Sequence, residues 1–422
     1  MNQDQTSCAT TTGRFGRRLA PRQPDPHALD LQIRKAVALL AQAKRPVIYT
    51  GGGIINSGRE ASALLRELVQ ATGFPITSTL MGLGAYPASG PNWLGMLGMH
   101  GTYEANMTMH GCDVMLCIGA RFDDRVTGRP DAFSPGSTKI HIDIDRSSIN
   151  KNIRVDVPIV GDAAEVMRDL LQVFKAEAKK PNIKAWWKQI AQWKARNSLA
   201  YKHNNDVILP QYAIQRLFEL TRDKDTYITT EVGQHQMWAA QFYRFEEPHR
   251  WMTSGALGTM GYGLPAALGV QVAHPDSLVI DIAGDASVQM TMREMSTAVR
   301  HKLPIKVFIL NNQYMGMVRQ QQQLLHGNRL SHSYSEASPD FVKLADAFGC
   351  HGIRATKPDE LDDAIGEMIE VRKPVLFDCR VAALENCFPM IPPGSAHNEM
   401  LLPAEANDEA TAKAFARGRA LV

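Results

Sequence analysis

The sequence predicts an α/β chain of two doubly wound parallel-sheet domains. Three observations carry this: short apolar runs that end in glycine or polar residues, helical apolar spacing between those runs, and a tryptophan-bearing polar stretch that separates two such series. The first series occupies residues 28–180 and the second 207–390. Residues 1–27 read as a leader, 181–206 as a linker helix and 391–422 as a C-terminal arm.

The first domain opens with Ile33, Ala36, Val37, Leu39 and Leu40 at helical spacing, followed by the strand Val47-Ile48-Tyr49. Gly51-Gly52-Gly53 then leads into a helix through Ala61, Leu64, Leu65 and Leu68, a strand–glycine–helix start of the dinucleotide-binding type. The glycines depart from G-x-G-x-x-G, and a plain tight turn explains them nearly as well. Further strands are expected at Phe74–Thr77, Cys112–Ile118 and Lys139–Ile144. In the loop Gly119–Gly128 (GARFDDRVTG) the arginines either hold a phosphate or pair internally with Asp123 and Asp124; the residues alone favour pairing.

Between the domains, Trp186, Ile190 and Trp193 recur at helical spacing among lysines. Such a stripe suits a linker helix packed on the body better than a nucleic-acid or membrane surface. The second domain begins near Val207, with a helix at Gln211–Ile214, a strand at Tyr227–Thr230 and Glu231-Val232-Gly233-Gln234-His235 at its carboxyl end. The glycine-studded segment Gly255–Gly269 suits backbone contact with a flat ligand. Helices are expected at Pro339–Phe348 and Leu361–Val371, a strand at Val375–Cys379, a surface arm after Pro389 and a charged terminal helix or disordered end from Ala404.

At 422 residues, with 44% hydrophobic and 21% charged residues, the composition is that of a globular chain of two or three domains. A net charge of +3 makes no case for nucleic acid or an anionic membrane. Cys8, Cys112, Cys117, Cys350, Cys379 and Cys387 form no CxxC pair, which fits free thiols in a reducing, cytoplasmic compartment. No apolar run is long enough to span a membrane. The opening residues are poor in acids but lack a secretory apolar centre, and read as a disordered leader rather than a transit peptide.

The chemistry concentrates between Ile280 and Gly316. An apolar run to Ile282 breaks at Gly284-Asp285-Ala286-Ser287; a helix is expected through Met290, Met295, Ala298 and Val299, and a second apolar run, Ile305–Leu310, ends in Asn311-Asn312. Asp285 and Asn312 are hard oxygen ligands at the carboxyl ends of two strands, suited to a Mg²⁺ that also takes a backbone carbonyl, water and phosphate oxygens. The small residues Gly284, Ala286 and Ser287 allow backbone N–H groups to approach a phosphate at the following helix's N-terminus. GDAS alone reads as an ordinary turn; Asn312, 27 positions after Asp285, makes the pair similar to the thiamine diphosphate signature, GDG followed by NN. Ala286 stands where that signature has glycine, so a positive φ there would be strained.

Taken in order, GGGI, MLGMHGTYEAN, GARFDDRVTG, IHIDID, EVGQHQMW, GTMGYGLPAALG, GDAS with NN, and PMIP with HNEM resemble the catalytic subunit of acetolactate synthase over roughly Gln32 to Leu402. That family condenses two 2-keto acids on thiamine diphosphate and binds FAD without needing it for redox. The resemblance assigns Mg²⁺ to Asp285, Asn312 and the main chain of Tyr314. It places thiamine diphosphate against Val232, Gly233, Gln234, His235, Gly258, Met260, Gly284, Asp285, Ala286, Ser287, Asn312, Tyr314, Gly316 and Met317, with Met260 as the apolar prop that bends the cofactor. It frames FAD with Gly51, Gly52, Gly53, Thr79, Leu80, Leu97, Gly98, Met99, His100, Gly119, Ala120, Arg121, Asp123, Arg125, Val126, Asp143, Ile144, Asp162 and Ala163, which overrides internal pairing of the arginine loop.

The resemblance further implies pyruvate and 2-ketobutyrate as substrates, a homo-oligomer, a small regulatory subunit, and an N-terminal pyrimidine-binding domain with a catalytic glutamate that this chain lacks and a partner would supply. Gln321 stands where the family usually has Trp, so preference for 2-ketobutyrate over pyruvate and sulfonylurea sensitivity should both be weak. Two other readings remain at this stage: a cofactor-binding or oligomerisation module without turnover, and a glyoxylate carboligase.

Overall fold

The computed structural model describes residues 26–403 except 204 and 336. Residues 1–25 of the leader, and the terminal segment from Ala404, lie outside the described residues, while Pro26 and His27 already belong to the first helix.

The first domain runs α1 (Pro26–Gln42), β1 (Pro46–Thr50), α2 (Gly52–Asn56), α3 (Arg59–Thr72), β2 (Ile76–Ser78), β3 (Trp93–Met96), α4 (Tyr103–Gly111), β4 (Val114–Ile118), α5 (Asp124–Thr127), β5 (Thr138–Asp143), β6 (Val157–Val160) and α6 (Ala163–Glu177). Its six strands are all parallel, in the order β3-β2-β1-β4-β5-β6, so the winding reverses between β1 and β4. Ligands of doubly wound sheets sit at such a reversal, beyond the carboxyl ends of the strands. The expected single helix after the glycine run is two: Ser57-Gly58 interrupts it, Gly58 lying at φ 95° in the region open mainly to glycine. Strands β3 and β6 were not expected from the sequence, being short, half-buried and carrying Gly95 and Pro158.

Helix α7 (Lys184–Lys194) is the linker helix. Trp186 and Ile190 are buried, Trp186 meets Trp193 edge to face, and the indole N–H groups of Trp186 and Trp187 donate to the carbonyls of Pro46 and Gly73. The tryptophans therefore face the first domain, not solvent.

The second domain follows as α8 (Pro210–Thr221), β7 (Thr226–Thr230), α9 (Gln234–Phe242), β8 (Trp251–Thr253), α10 (Gly263–Ala273), β9 (Leu278–Gly284), α11 (Met295–Arg300), β10 (Lys306–Asn311), α12 (Gly316–Leu325), α13 (Phe341–Phe348), β11 (His351–Ala355), α14 (Leu361–Glu370) and β12 (Val375–Arg380). Its parallel sheet has the order β11-β12-β10-β9-β7-β8. Because parallel sheets bury both faces, its strands read as near-continuous apolar runs. Ile280, Ile282, Phe308 and Leu310 enter one core, whereas Val279, Ala283, Val307 and Ile309 enter the other. The helix expected after GDAS is broken into two 3₁₀ turns and the six-residue α11, so no helix N-terminus of useful length faces the loop.

The domains pack on each other. Leu83 and Met96 of the first enter the core of the second, and the Ala88 N–H donates to the Phe245 carbonyl at 3.1 Å. The segment after Pro389, expected as a surface arm, is instead inserted: Met390, Ile391, Met400 and Leu401 are buried, and the Ile391 N–H donates to the Met99 carbonyl. Its apolar residues have no regular spacing, so only the groove that receives them reveals their burial. No helix of the described residues is long and apolar enough to cross a membrane.

Candidate functional site

Register places the second-domain site. Gly284 pairs with Leu310, so Asp285 and Asn312 emerge side by side from the carboxyl ends of β9 and β10. Asp285 is 1% exposed, yet neither carboxylate oxygen has a hydrogen-bond partner. Burial pushes its carboxyl up to about 7, although the nearby Asp285 and Asn312 backbone N–H groups pull it down, with Asp378 adding to the rise. A buried, unpartnered carboxylate is costly to maintain unless something cationic completes it. The Asn312 Oδ1 accepts the Tyr314 N–H at 3.1 Å and retains a lone pair. Among the described residues no cluster of three His, Cys, Asp or Glu could hold a metal, which excludes an all-protein cage of these residues. One carboxylate, one amide oxygen and a nearby main-chain carbonyl instead suit a cation that takes its remaining ligands from phosphate and water.

Around this pair lie the other second-domain residues expected to bind cofactor. Val232, Gly233, Gln234 and His235 follow β7, which neighbours β9. The His235 ring is packed so closely on Gly284 that a Cβ there would come within 2.7 Å of it. Burial lowers the His235 pKa to about 3, so the ring is neutral, and its Nε2 is buried without a partner. Ala286 does not take a positive φ, so it replaces glycine without strain. Gly258 lies in the exposed stretch Gly255–Thr259, with Leu257 at 91% exposure, and Met260 is half-buried at its end rather than in the core. Tyr314 precedes α12, Gly316 and Met317 are its first two residues, and Gln321 within it is exposed.

Three residues that sequence reasoning did not assign complete the site. Glu231 is fully buried and its carboxylate accepts the Gly261 and Leu264 N–H groups, capping α10 and holding the Met260 loop. Asp281 lies beside it; a charged residue inside the apolar run VIDIAG was the available signal. Arg319 is fully buried and binds the carbonyls of Leu384 and Glu385, which nothing in its polar sequence context signals.

In the first domain, Gly53, Gly119, Asp143, Ile144, Asp162 and Ala163 line one cavity of about 110 Å³ beyond β1, β4, β5 and β6. The Ile144 side chain is 71% exposed at its edge, an apolar face open to a planar ring. The Asp162 carboxylate binds the Ser57 hydroxyl and the Ala164 N–H, capping α6. Gly51, Gly53 and Gly119 let two strand-end turns touch: a Cβ on Gly51 would lie 2.4 Å from the Gly119 carbonyl oxygen. Met99, Arg125 and Val126 line a second cavity, of about 140 Å³, with Ile391–Gly394 of the inserted tail. Arg121 pairs with Asp123 at 2.6 Å with both side chains about half exposed, and the pairing expected from the residues alone is formed. His100 is buried against the Pro389 carbonyl, Ala120 packs on Gly51, Leu80 lies by the second domain's Gly255 and Gly98 beside α5, while the Thr79 and Leu97 N–H groups donate to the Thr50 and Ser78 carbonyls.

Residues 33–170 match the thiamine pyrophosphate enzyme central domain, and residues 231–379 match the thiamine pyrophosphate enzyme C-terminal TPP-binding domain. The chain belongs to the thiamine pyrophosphate enzymes. Within that family it is 48% identical over 377 residues to the acetolactate synthase isozyme 3 large subunit of Escherichia coli (strain K12), 44% over 374 residues to the acetolactate synthase large subunit of Haemophilus influenzae and 46% over 376 residues to that of Buchnera aphidicola subsp. Acyrthosiphon pisum. Each alignment covers 88% of this chain and 65% of the relative, so this thiamine pyrophosphate enzyme chain spans just under two thirds of their length.

Proposed function

We propose that the chain is the catalytic part of an acetolactate synthase large subunit, condensing pyruvate with a second 2-keto acid, with loss of CO₂, to 2-acetolactate or 2-aceto-2-hydroxybutyrate for branched-chain amino acid biosynthesis. The observation that carries this is the unpartnered, buried Asp285 carboxylate beside Asn312, in a chain 44–48% identical to proteins bearing that name. Bound thiamine diphosphate supplies the electron sink for decarboxylation and carbon–carbon bond formation. The chain's own residues bind and orient it. Asp285, Asn312 and the Tyr314 carbonyl would hold Mg²⁺ and with it the diphosphate, His235 stays neutral beside Gly284, and Glu231 steadies the loop that carries Met260.

The first domain would hold FAD at the cavities lined by Gly53, Asp143, Ile144 and Asp162 and by Met99 and Arg125. We assign to the same reading a homo-oligomer, a small regulatory subunit, a pyrimidine-binding domain supplied by a neighbouring polypeptide, and a cytoplasmic location. Calorimetry with Mg²⁺ and thiamine diphosphate, followed by assay of acetolactate from pyruvate with and without a full-length large subunit, tests it. Uptake of neither metal nor cofactor would sink the proposal.

A further inference from the structure

Asn312 ends a row of three buried side-chain amides, with Gln234 and Gln320, exposed by 6%, 2% and 1%. Each is pinned by a backbone group whose polarity cannot be exchanged. The Tyr314 N–H donates to Asn312 Oδ1 at 3.1 Å, the Glu385 carbonyl accepts from Gln234 Nε2 at 3.0 Å, and the Cys387 N–H donates to Gln320 Oε1 at 2.7 Å. A carbonyl only accepts and an N–H only donates, so the orientation of every amide follows. The links between them are then complementary: Asn312 Nδ2 donates to Gln234 Oε1 at 3.2 Å, and Gln234 Nε2 to Gln320 Oε1 at 2.8 Å. At the far end, the fully buried Arg319 donates to the Leu384 and Glu385 carbonyls and to Asn386 Oδ1, clamping the segment on which the row is anchored.

We propose that Gln320, acting through Gln234, is a positioning residue for the divalent-cation site. It keeps the Asn312 amide from flipping, so that Oδ1, with one lone pair on the Tyr314 N–H, offers the other to the cation. Cation affinity is thereby coupled to the packing of Leu384–Cys387, which reaches Asn312 through this row. This inference rests on Asp285 and Asn312 being the Mg²⁺ ligands. It also moves the functional weight of α12 from exposed Gln321 to its buried neighbour.

The test is Mn²⁺ binding to the full chain at fixed thiamine diphosphate, read by loss of the free-ion paramagnetic resonance signal, alongside the thermal midpoint. Removal of an outer partner of a metal ligand typically weakens binding about 10–100-fold, and Gln320→Met should fall in that range. Gln320→Glu, which keeps an acceptor for both Gln234 and the Cys387 N–H but loses the donor that meets the Cys387 carbonyl at 3.3 Å, should weaken binding less than Gln320→Met. Gln320→Asn, which withdraws the amide by one methylene, serves should Q320M not fold, and is expected to weaken binding likewise. Parental Mn²⁺ affinity in Q320M or Q320N overturns the inference alone, as does equal weakening in Q320E. A parent chain that takes up no Mn²⁺ with thiamine diphosphate overturns the ligand assignment and the inference together.

Discussion

Glu231, just past the end of β7, and Asp281, in the middle of β9, are fully buried side by side, two carboxyl groups in one apolar site with different partners. Glu231 accepts N–H groups at the start of α10, whereas Asp281 Oδ1 accepts the Thr229 hydroxyl at 3.1 Å and its Oδ2 has no partner. Burial, and then the neighbouring Glu231, raise the Asp281 carboxyl well above the usual range; burial raises Glu231 too, against backbone N–H groups that favour its charge. A folded-state pKa raised above the unfolded one contributes stability at low pH that is lost as pH rises. Asp281→Asn should therefore gain on the parent steadily from pH 5 to 8 in urea denaturation. Glu231→Ala should lose roughly 2 kcal/mol, through the missing cap and the stranded N–H groups, and expose the Leu257 loop to proteolysis.

Asp285 exchanges stability for binding. Asp285→Asn removes a buried carboxylate that no side chain pairs and should raise the cofactor-free thermal stability by on the order of 1 kcal/mol. Mg²⁺ with thiamine diphosphate should then stabilise the parent and leave the variant unmoved, since only a ligand that binds the folded state shifts the midpoint. A variant that remains protected by the pair would contradict the ligand assignment.

The inserted tail carries its own acid sensitivity. Burial lowers the His397 pKa to about 4 where its ring meets the Val126 carbonyl and the Phe133 ring, with His110 lowering it further. The unfolded chain takes up a proton near pH 6.5 that the folded chain refuses until about 4, so the stability of the neutral buried ring is present above 6.5 and lost as pH falls through 4. A shift of that size amounts to about 3 kcal/mol at most. His397→Gln should lose less stability than the parent between pH 6.5 and 4.5, measured as urea midpoints.

Gly51→Ala is expected to be severe although its backbone is extended. Its new Cβ would meet the Gly119 carbonyl oxygen at 2.4 Å, a backbone atom with nowhere to move. A loss of roughly 1–3 kcal/mol in chemical denaturation is expected. Gly58→Ala tests a different term, since its Cβ meets nothing but its φ of 95° is strained for alanine.

Gln321 is exposed, so Gln321→Trp should change stability by no more than about 0.5 kcal/mol. On the proposed function, it should raise the share of 2-ketobutyrate product in a competition with pyruvate, by about 10-fold or more if the indole forms a wall sensitive to one methylene. An unchanged product ratio would remove this position from the specificity pocket.

What the chain determines locally was readable before any coordinates. Apolar runs ending in polar residues marked the long strands β1, β4, β5, β7, β9, β10 and β12, because a strand buried on both faces leaves a continuous apolar signature. The same local punctuation located Asp285 and Asn312 at strand ends. Tertiary structure alone decided which groups from distant segments share a site: Glu231 with Asp281, Gln320 with Asn312, the tail with Met99. Those pairings depend on strand order and on close packing between elements far apart in the chain, and neither leaves a periodic trace along the sequence. Burial of a polar side chain is likewise set by what folds over it, which is why nothing in the polar sequence around Arg319 and Gln320 marks them as buried against the Leu384–Cys387 segment.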